Sequence, residues 1–329
     1  MKPNYFHTKP SSFSETVELV ENYVRAEIRQ ESKDKQLYYH TLDHALAVKR
    51  RAGIIFNAIK TTLASKYSND ELERLESLIS LCGLAHDMVQ VFESSPEHLP
   101  RKRVNGQSEM ETTNKLLKFI QEFNRELADC NLNSTILFSD RDRQIIQDAI
   151  AATICQHDSQ AGKKNYTFSP YSIYQPYLYQ SQSKISIVGS IIALADLGTL
   201  GMDGVEKYVR DGILVFLEDN PIYENLILNC NAQIDSHNYY ANTLTDDIIK
   251  AKLLNMTKFM VTFACERKAR FELEIAGFCA QARQILREGV FVYLNQESIA
   301  KIQATIPTKD NVSLEELLSF FCLPKNDNI

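Results

Sequence analysis

The chain is 329 residues long, 44% apolar and 24% charged, a composition near the globular average that disfavours both disorder and a fibrous repeat. Its 42 acidic residues against 36 basic ones leave a net charge of −6, and without a long Lys/Arg run that balance speaks against a general nucleic-acid or anionic-membrane binder. At roughly 150 residues per domain the length admits two domains or one large helical one. No composition break marks a boundary, so a single helical domain over 1–329 is expected.

Taken in chain order, apolar residues recur at helical spacing over Thr16 to Ile28, Leu42 to Ala64, Leu72 to Val91, Met110 to Leu127, Ile145 to Ile154, Ile185 to Leu197 and Ile248 to Leu286. Asn69-Asp70 and Ser139-Asp140 are N-cap signals, and Pro96 and Pro100 stop the Leu72 helix. Two stretches read as irregular: Glu93 to Gly106, and the tyrosine-rich Ser159 to Ser183. Strand signals are scarce, and the fold class is all-α. A nucleotide-binding α/β alternative, with Ile185 to Ile192 as a strand, lacks the alternating strands and the glycine fingerprint it needs. Gly198, Gly201 and Gly204 instead end one helix and start the next.

The start of the chain offers no apolar core of a secretion signal, and no segment approaches about 18 uninterrupted apolar residues. The seven cysteines, at 82, 130, 155, 230, 265, 279 and 322, form no CxxC pair. That is neither a disulfide framework nor a zinc ribbon, and it suits a cytoplasmic protein.

There are only seven histidines, so their placement is informative. His40 and His44 are four residues apart, close to one helical turn. Leu78 to Ala85 is almost wholly apolar and ends in His86-Asp87, while Ile185 to Ala195 carries no charge and delivers Asp196. A carboxylate at the end of a buried apolar run is costly unless it is paired, hydrogen-bonded or bound to a cation. An ion pair, a helix cap or plain core packing would account for each feature alone. Together they make a mixed nitrogen and oxygen set suited to a divalent transition metal or magnesium.

The order His44, His86-Asp87, Asp196 resembles the H…HD…D signature of the HD-domain superfamily of metal-dependent phosphohydrolases. Tyr39-His40-Thr41-Leu42-Asp43-His44-Ala45 is similar to a Tyr-His-Asn-x-x-His-Ala pattern of its cyclic-nucleotide phosphodiesterase branch, and Ala151-Ala152-Thr153 with His157 to an Ala-Thr-Asp-x-x-x-His stretch. Thr41 stands where that pattern has Asn, and Ile154 where it has Asp. The resemblance implies an HD-domain-like helical bundle, with a catalytic core over about 36–208 and additional C-terminal helices over about 221–329. It implies metal ligation by His44, His86, Asp87 and Asp196, with Asp87 able to bridge to a second ion, and His40 as general acid. The implied cofactor is one or two divalent ions (Mn, Fe, Zn, Ni or Mg). The implied reaction is hydrolysis of a phosphomonoester or phosphodiester, a nucleotide among the candidates, through a metal-activated water.

Arg101 to Glu109 follows the HD pair. Arg103 and Gln107 are candidates to hold a small phosphorylated substrate and Glu109 to orient a water, or the stretch is a solvated loop with Ser108 as helix cap. His157 is either a phosphate contact or second-metal ligand, or a helix-end histidine. His7, His98 and His237 read as surface residues. Phe259, Phe263 and Phe271, beside Glu266, Arg267, Lys268 and Arg270, pack on the core or on a second subunit, which leaves a homodimer open. The alternative to an enzyme is a non-catalytic HD-type module that binds metal or nucleotide.

Overall fold

The computed structural model describes residues 9–93, 100–129, 134–157, 173–180, 185–228 and 245–323. His7, His98, His237, Pro96 and most of the tyrosine-rich stretch lie outside the described residues. The chain is all-α. Its first helices are α1 (Phe13–Lys35), α2 (Leu42–Leu63), α3 (Asn69–Ala85), α4 (Gln107–Asp129), α5 (Asp140–Ala151) and α6 (Ile187–Asp196). They are followed by α7 (Val205–Asp219), α8 (Glu224–Leu228), α9 (Asp246–Glu274), α10 (Ala280–Ile285), α11 (Gln296–Thr305) and α12 (Leu314–Phe321). Among the described residues the sheet content is one antiparallel pair, β1 (Gln156–His157) with β2 (Ile173–Tyr174).

Local chemistry sets these boundaries. Ser68 and Glu71 form a reciprocal capping box at the start of α3, and Ser139 and Asp142 do the same for α5. The cap of α3 is therefore one residue earlier than Asn69. Gln36, at φ 50, ends α1 in the left-handed region. Gly204, at φ 89, starts α7 where an L side chain would be strained.

Two expected helices are shorter than their apolar patterns. The Leu72 helix ends at Ala85 instead of Val91 because hydroxyls from α4 take the next amides: Val89 N–H donates to Thr112 Oγ1 at 3.0 Å and Val91 N–H to Ser108 Oγ at 2.9 Å. Ser108 thus lies inside α4 and serves the preceding segment, not as its cap. The Ile248 to Leu286 pattern breaks after Glu274, where Phe278 N–H turns back on Ile275 O and Cys279 is extended before α10.

The largest core joins α1, α2, α3 and α6 through Val24, Ile55, Ile79, Leu81 and Ile192, all buried. Each such side chain stabilises the fold by roughly 1.5–3 kcal/mol relative to an exposed position. The helices α2 and α3 approach closely at Gly83, where a Cβ would stand 2.9 Å from Lys49 Cα. The C-terminal half has two clusters of its own, one around Phe216, Leu253 and Phe321 and one around Tyr208, Met260 and Ile302. Among the described residues no helix is long and apolar enough to cross a membrane. Cys82, Cys155, Cys265 and Cys279 are free thiols, whereas Cys322 is disulfide-bonded, a pairing that the scattered cysteine spacing does not announce.

Candidate metal centre

The two predicted histidines and two predicted acids meet. His44 sits in the first turn of α2, His86 and Asp87 directly follow α3, and Asp196 is the last residue of α6. One donor atom from each lies within 4.8 Å of the others. His44 Nε2 is 3.3 Å from His86 Nε2, 3.4 Å from Asp87 Oδ2 and 3.7 Å from Asp196 Oδ1. His86 Nε2 is 2.8 Å from Asp87 Oδ2 and 3.5 Å from Asp196 Oδ1. Donors placed about 2.1 Å from one ion stand about 3 Å apart when adjacent and about 4.2 Å apart when opposite. The observed spacings fall in that range.

Surrounding residues aim each donor inward. His86 Nδ1 lies 3.1 Å from Gly83 O, and because a carbonyl can only accept, Nδ1 carries the proton and Nε2 keeps its lone pair for the site. Gln90 Nε2 donates to Asp87 Oδ1 at 3.2 Å, and Gln175 Nε2 donates to Asp196 Oδ2 at 2.8 Å, which leaves Asp87 Oδ2 and Asp196 Oδ1 on the histidine side. Gln175, fully buried ahead of Pro176, also donates to Thr153 O.

The electrostatics call for a positive charge. Burial lowers the His44 pKa. Burial also acts downward on His86, but Asp87 and Asp196 outweigh it and hold that imidazole well above its usual value. Burial, and then the neighbouring Asp87, push the Glu109 carboxyl up to about 7. Four acidic residues, Asp87, Glu109, Asp196 and Asp211, line one cavity of about 340 Å³. The donor set, its spacing and this negative field fit a divalent cation.

His40 precedes α2 rather than sharing a turn of it with His44, and its ring lies 5.6 Å from the His44 ring. Its Nε2 is 3.6 Å from Asp87 Oδ2, and its Nδ1 is 2.5 Å from Glu218 Oε1. Glu218, at the end of α7, is fully buried and accepts the Tyr38, Tyr39 and His40 backbone N–H groups on Oε2 at 3.1, 2.9 and 2.9 Å. Burial acts to raise its pKa, but His40 and Arg103 hold the carboxyl well below the usual range.

Arg103 lines the cavity, but its guanidinium is committed. It donates to Glu218, to Asp219 Oδ1 at 3.2 Å and to Gln90 Oε1, so it ties α7 to the Asp87 segment instead of waiting for a phosphate. Glu109 lines the cavity; Gln107 does not. His157 is exposed on β1 and is not among the cavity-lining residues. Sequence reasoning missed Glu218, Asp219, Gln90 and Gln175. A signal for Glu218 existed: it ends the apolar run Ile213 to Leu217 as Asp196 ends its own. Gln175 carries no comparable mark.

No protein family, curated protein or solved structure matches this chain.

Proposed function

We propose that the chain is a metal-dependent phosphohydrolase that acts on a small phosphomonoester or phosphodiester, a nucleotide among the candidates. The observation that carries this reading is the four-donor cluster, whose Asp87 and Asp196 line the same cavity as His40, a histidine whose far nitrogen is held by a buried glutamate. The order of the donors along the chain, similar to the HD-domain H…HD…D signature, supports the same reading.

His44, His86, Asp87 and Asp196 would hold the cation, with Gln90 and Gln175 fixing the two carboxylates. A divalent ion there supplies Lewis acidity toward a phosphoryl oxygen and lowers the pKa of a coordinated water. His40 handles the leaving group. Glu218 Oε1 can only accept, so it fixes a proton on His40 Nδ1 and orients the ring. The other nitrogen, Nε2, then delivers its proton to the departing oxygen. Glu109, outside the donor cluster but on the same cavity, holds or releases a proton near neutrality.

Metal analysis of the purified protein, followed by a phosphatase and phosphodiesterase panel on wild type, Asp87→Ala and His40→Ala, tests this. Roughly one or more equivalents of a divalent metal, with turnover lost in both variants, is expected. A wild type that takes up no metal, or activity that survives Asp87→Ala, overturns it. Bound metal without turnover on any phosphoester would favour the non-catalytic binding module.

A further inference from the structure

Asp87 and Asp196 make up only part of the cavity wall. Five apolar residues from five separate stretches also line it: Val104 ahead of α4, Ile173 of β2, Leu197 just after α6, Val215 of α7 and Phe259 of α9. Val104 is 37% exposed, and the other four are half-buried. Among the described residues, none of the five belongs to an apolar cluster of the fold or packs against one. Met256 and Phe263 of α9 line the same cavity but do pack against the cluster around Tyr208. Phe259 stacks on Phe263, with ring centroids 5.7 Å apart.

Single apolar side chains at a surface need no explanation. Five that come from distant parts of the chain, add to no core and border one concavity have only that space in common. Apolar surface left there against water is unfavourable, and an apolar group placed between the five removes it from water. The charged side chains that α7 and α9 bring to the cavity already face opposite charges within the protein, Asp211 with Lys207 and Arg267 with Glu274. They ask for no charge from a ligand, whereas the donor cluster of His44, His86, Asp87 and Asp196 suits a cation.

We propose that Val104, Ile173, Leu197, Val215 and Phe259 form a subsite for an apolar organic group. The substrate is then a phosphoester whose organic half is an alkyl chain or a ring, in preference to a bare sugar or polyol. The phosphate half of that statement rests on the phosphohydrolase reading; the apolar subsite is separable from turnover. Hydroxyl groups of a polyol would meet these five side chains without partners, and an unpaired polar group in an apolar site is costly. An apolar group gains instead with every carbon that it buries.

The test uses the full chain and phosphonates, whose carbon–phosphorus bond stands in for the ester and is not hydrolysed. Affinity is read by calorimetry on manganese-supplemented protein and needs no turnover. Methyl-, propyl- and hexylphosphonate lengthen a chain, phenyl- and 1-naphthylmethylphosphonate enlarge a ring, and 2,3-dihydroxypropylphosphonate is the polyol match of propyl. Each methylene that reaches the wall is worth up to about fourfold. Hexylphosphonate should therefore bind at least about tenfold tighter than methylphosphonate, and the dihydroxypropyl probe should bind more weakly than propyl. The arm that gains more per carbon identifies the source, chain or ring.

Phe259→Ala should compress the series, weakening the hexyl and naphthylmethyl probes by about tenfold relative to methylphosphonate. If that variant does not fold, Val215→Thr, which swaps a methyl for a hydroxyl, replaces it and should act in the same direction. Affinities that stay flat along both arms, or a polyol probe that binds as well as propyl, overturn the proposal. So does a failure of every phosphonate to bind, or a gradient that the variant leaves unchanged. A gradient that Phe259→Ala removes, with no hydrolysis of the corresponding phosphate esters, supports the subsite while retiring the phosphohydrolase reading. Hydrolysis of those esters with flat affinities does the reverse.

Discussion

His40, just ahead of α2, is joined to Glu218 near the end of α7. The imidazole Nδ1 stands 2.5 Å from a carboxylate that is fully buried and also accepts three consecutive backbone amides, those of Tyr38, Tyr39 and His40 itself. One side chain thus fixes both the ring and the backbone that carries it. The same carboxylate binds Arg103, which reaches Gln90 and through it Asp87. The proton-handling histidine and a metal-ligand carboxylate are therefore positioned by one polar network.

Glu218→Gln keeps the shape and an acceptor for the backbone amides but removes the carboxylate that accepts from His40 Nδ1 and orients the ring. The expected result is a fall in kcat of about 10²-fold or more with KM little changed. Glu218→Ala should instead cost about 3 kcal/mol of stability, since it strands Arg103 and three amides. Denaturant melts of the two variants separate the effects. A Gln variant with wild-type kcat would remove Glu218 from the positioning role.

A cation that binds the folded donor cluster and not the unfolded chain must raise the melting temperature. At a free metal concentration about 100-fold above Kd the gain is about 2.7 kcal/mol. Manganese, zinc, nickel and magnesium added in turn to chelator-treated wild type should show which ions stabilise it. Asp196→Asn and His86→Ala should melt at one temperature with and without metal. An equal metal-induced shift in those variants would place the ion elsewhere.

Much of the site is written in short-range pattern. Asp87 and Asp196 announce themselves because each ends an apolar run that only a core would explain, and the cap Ser139 is legible as a serine just ahead of the Ile145 helix. What escapes the sequence is pairing at long range. The end of α3 depends on hydroxyls of Thr112 and Ser108, and Arg103, basic and beside the HD pair, reads as a phosphate holder until α7 presents Glu218 and Asp219 to it. Gln175 is silent for a related reason: a glutamine in a polar stretch means nothing until Asp196 lies 2.8 Å away.

Asp142 gives the fold a predictable acid sensitivity. It is 2% exposed, and Arg74 grips it through Nε at 2.9 Å and Nη2 at 2.5 Å while also donating to the Thr135 and Leu137 carbonyls. Burial acts to raise its pKa, but Arg74 and Ser139 lower it below the ordinary value of 3.8. A depressed folded-state pKa contributes stability that is fully present above the unfolded value and is lost as pH falls toward the folded one. Asp142→Asn should therefore cost about 2 kcal/mol near neutrality, and the gap from wild type should close below about pH 4. A gap that stays constant down to pH 3 would contradict the assignment.

Gly83 links helix packing to the metal donors. A Cβ there would stand 2.9 Å from Lys49 Cα and 3.3 Å from Lys49 N, and backbone cannot step aside as a flexible side chain can. Gly83→Ala must therefore push α3 away from α2. That separates His86, which hangs from the Gly83 carbonyl, from His44 on α2. Overpacking of this kind costs about 1–3 kcal/mol, although alanine alone would favour the helix by roughly 1 kcal/mol. Metal affinity should fall more than a variant of equal stability loss made elsewhere in the α1–α3 core, such as Ile79→Val, because the donors move apart. Equal affinity in the two variants, measured by calorimetry, would show that the α2–α3 spacing does not set the donor geometry.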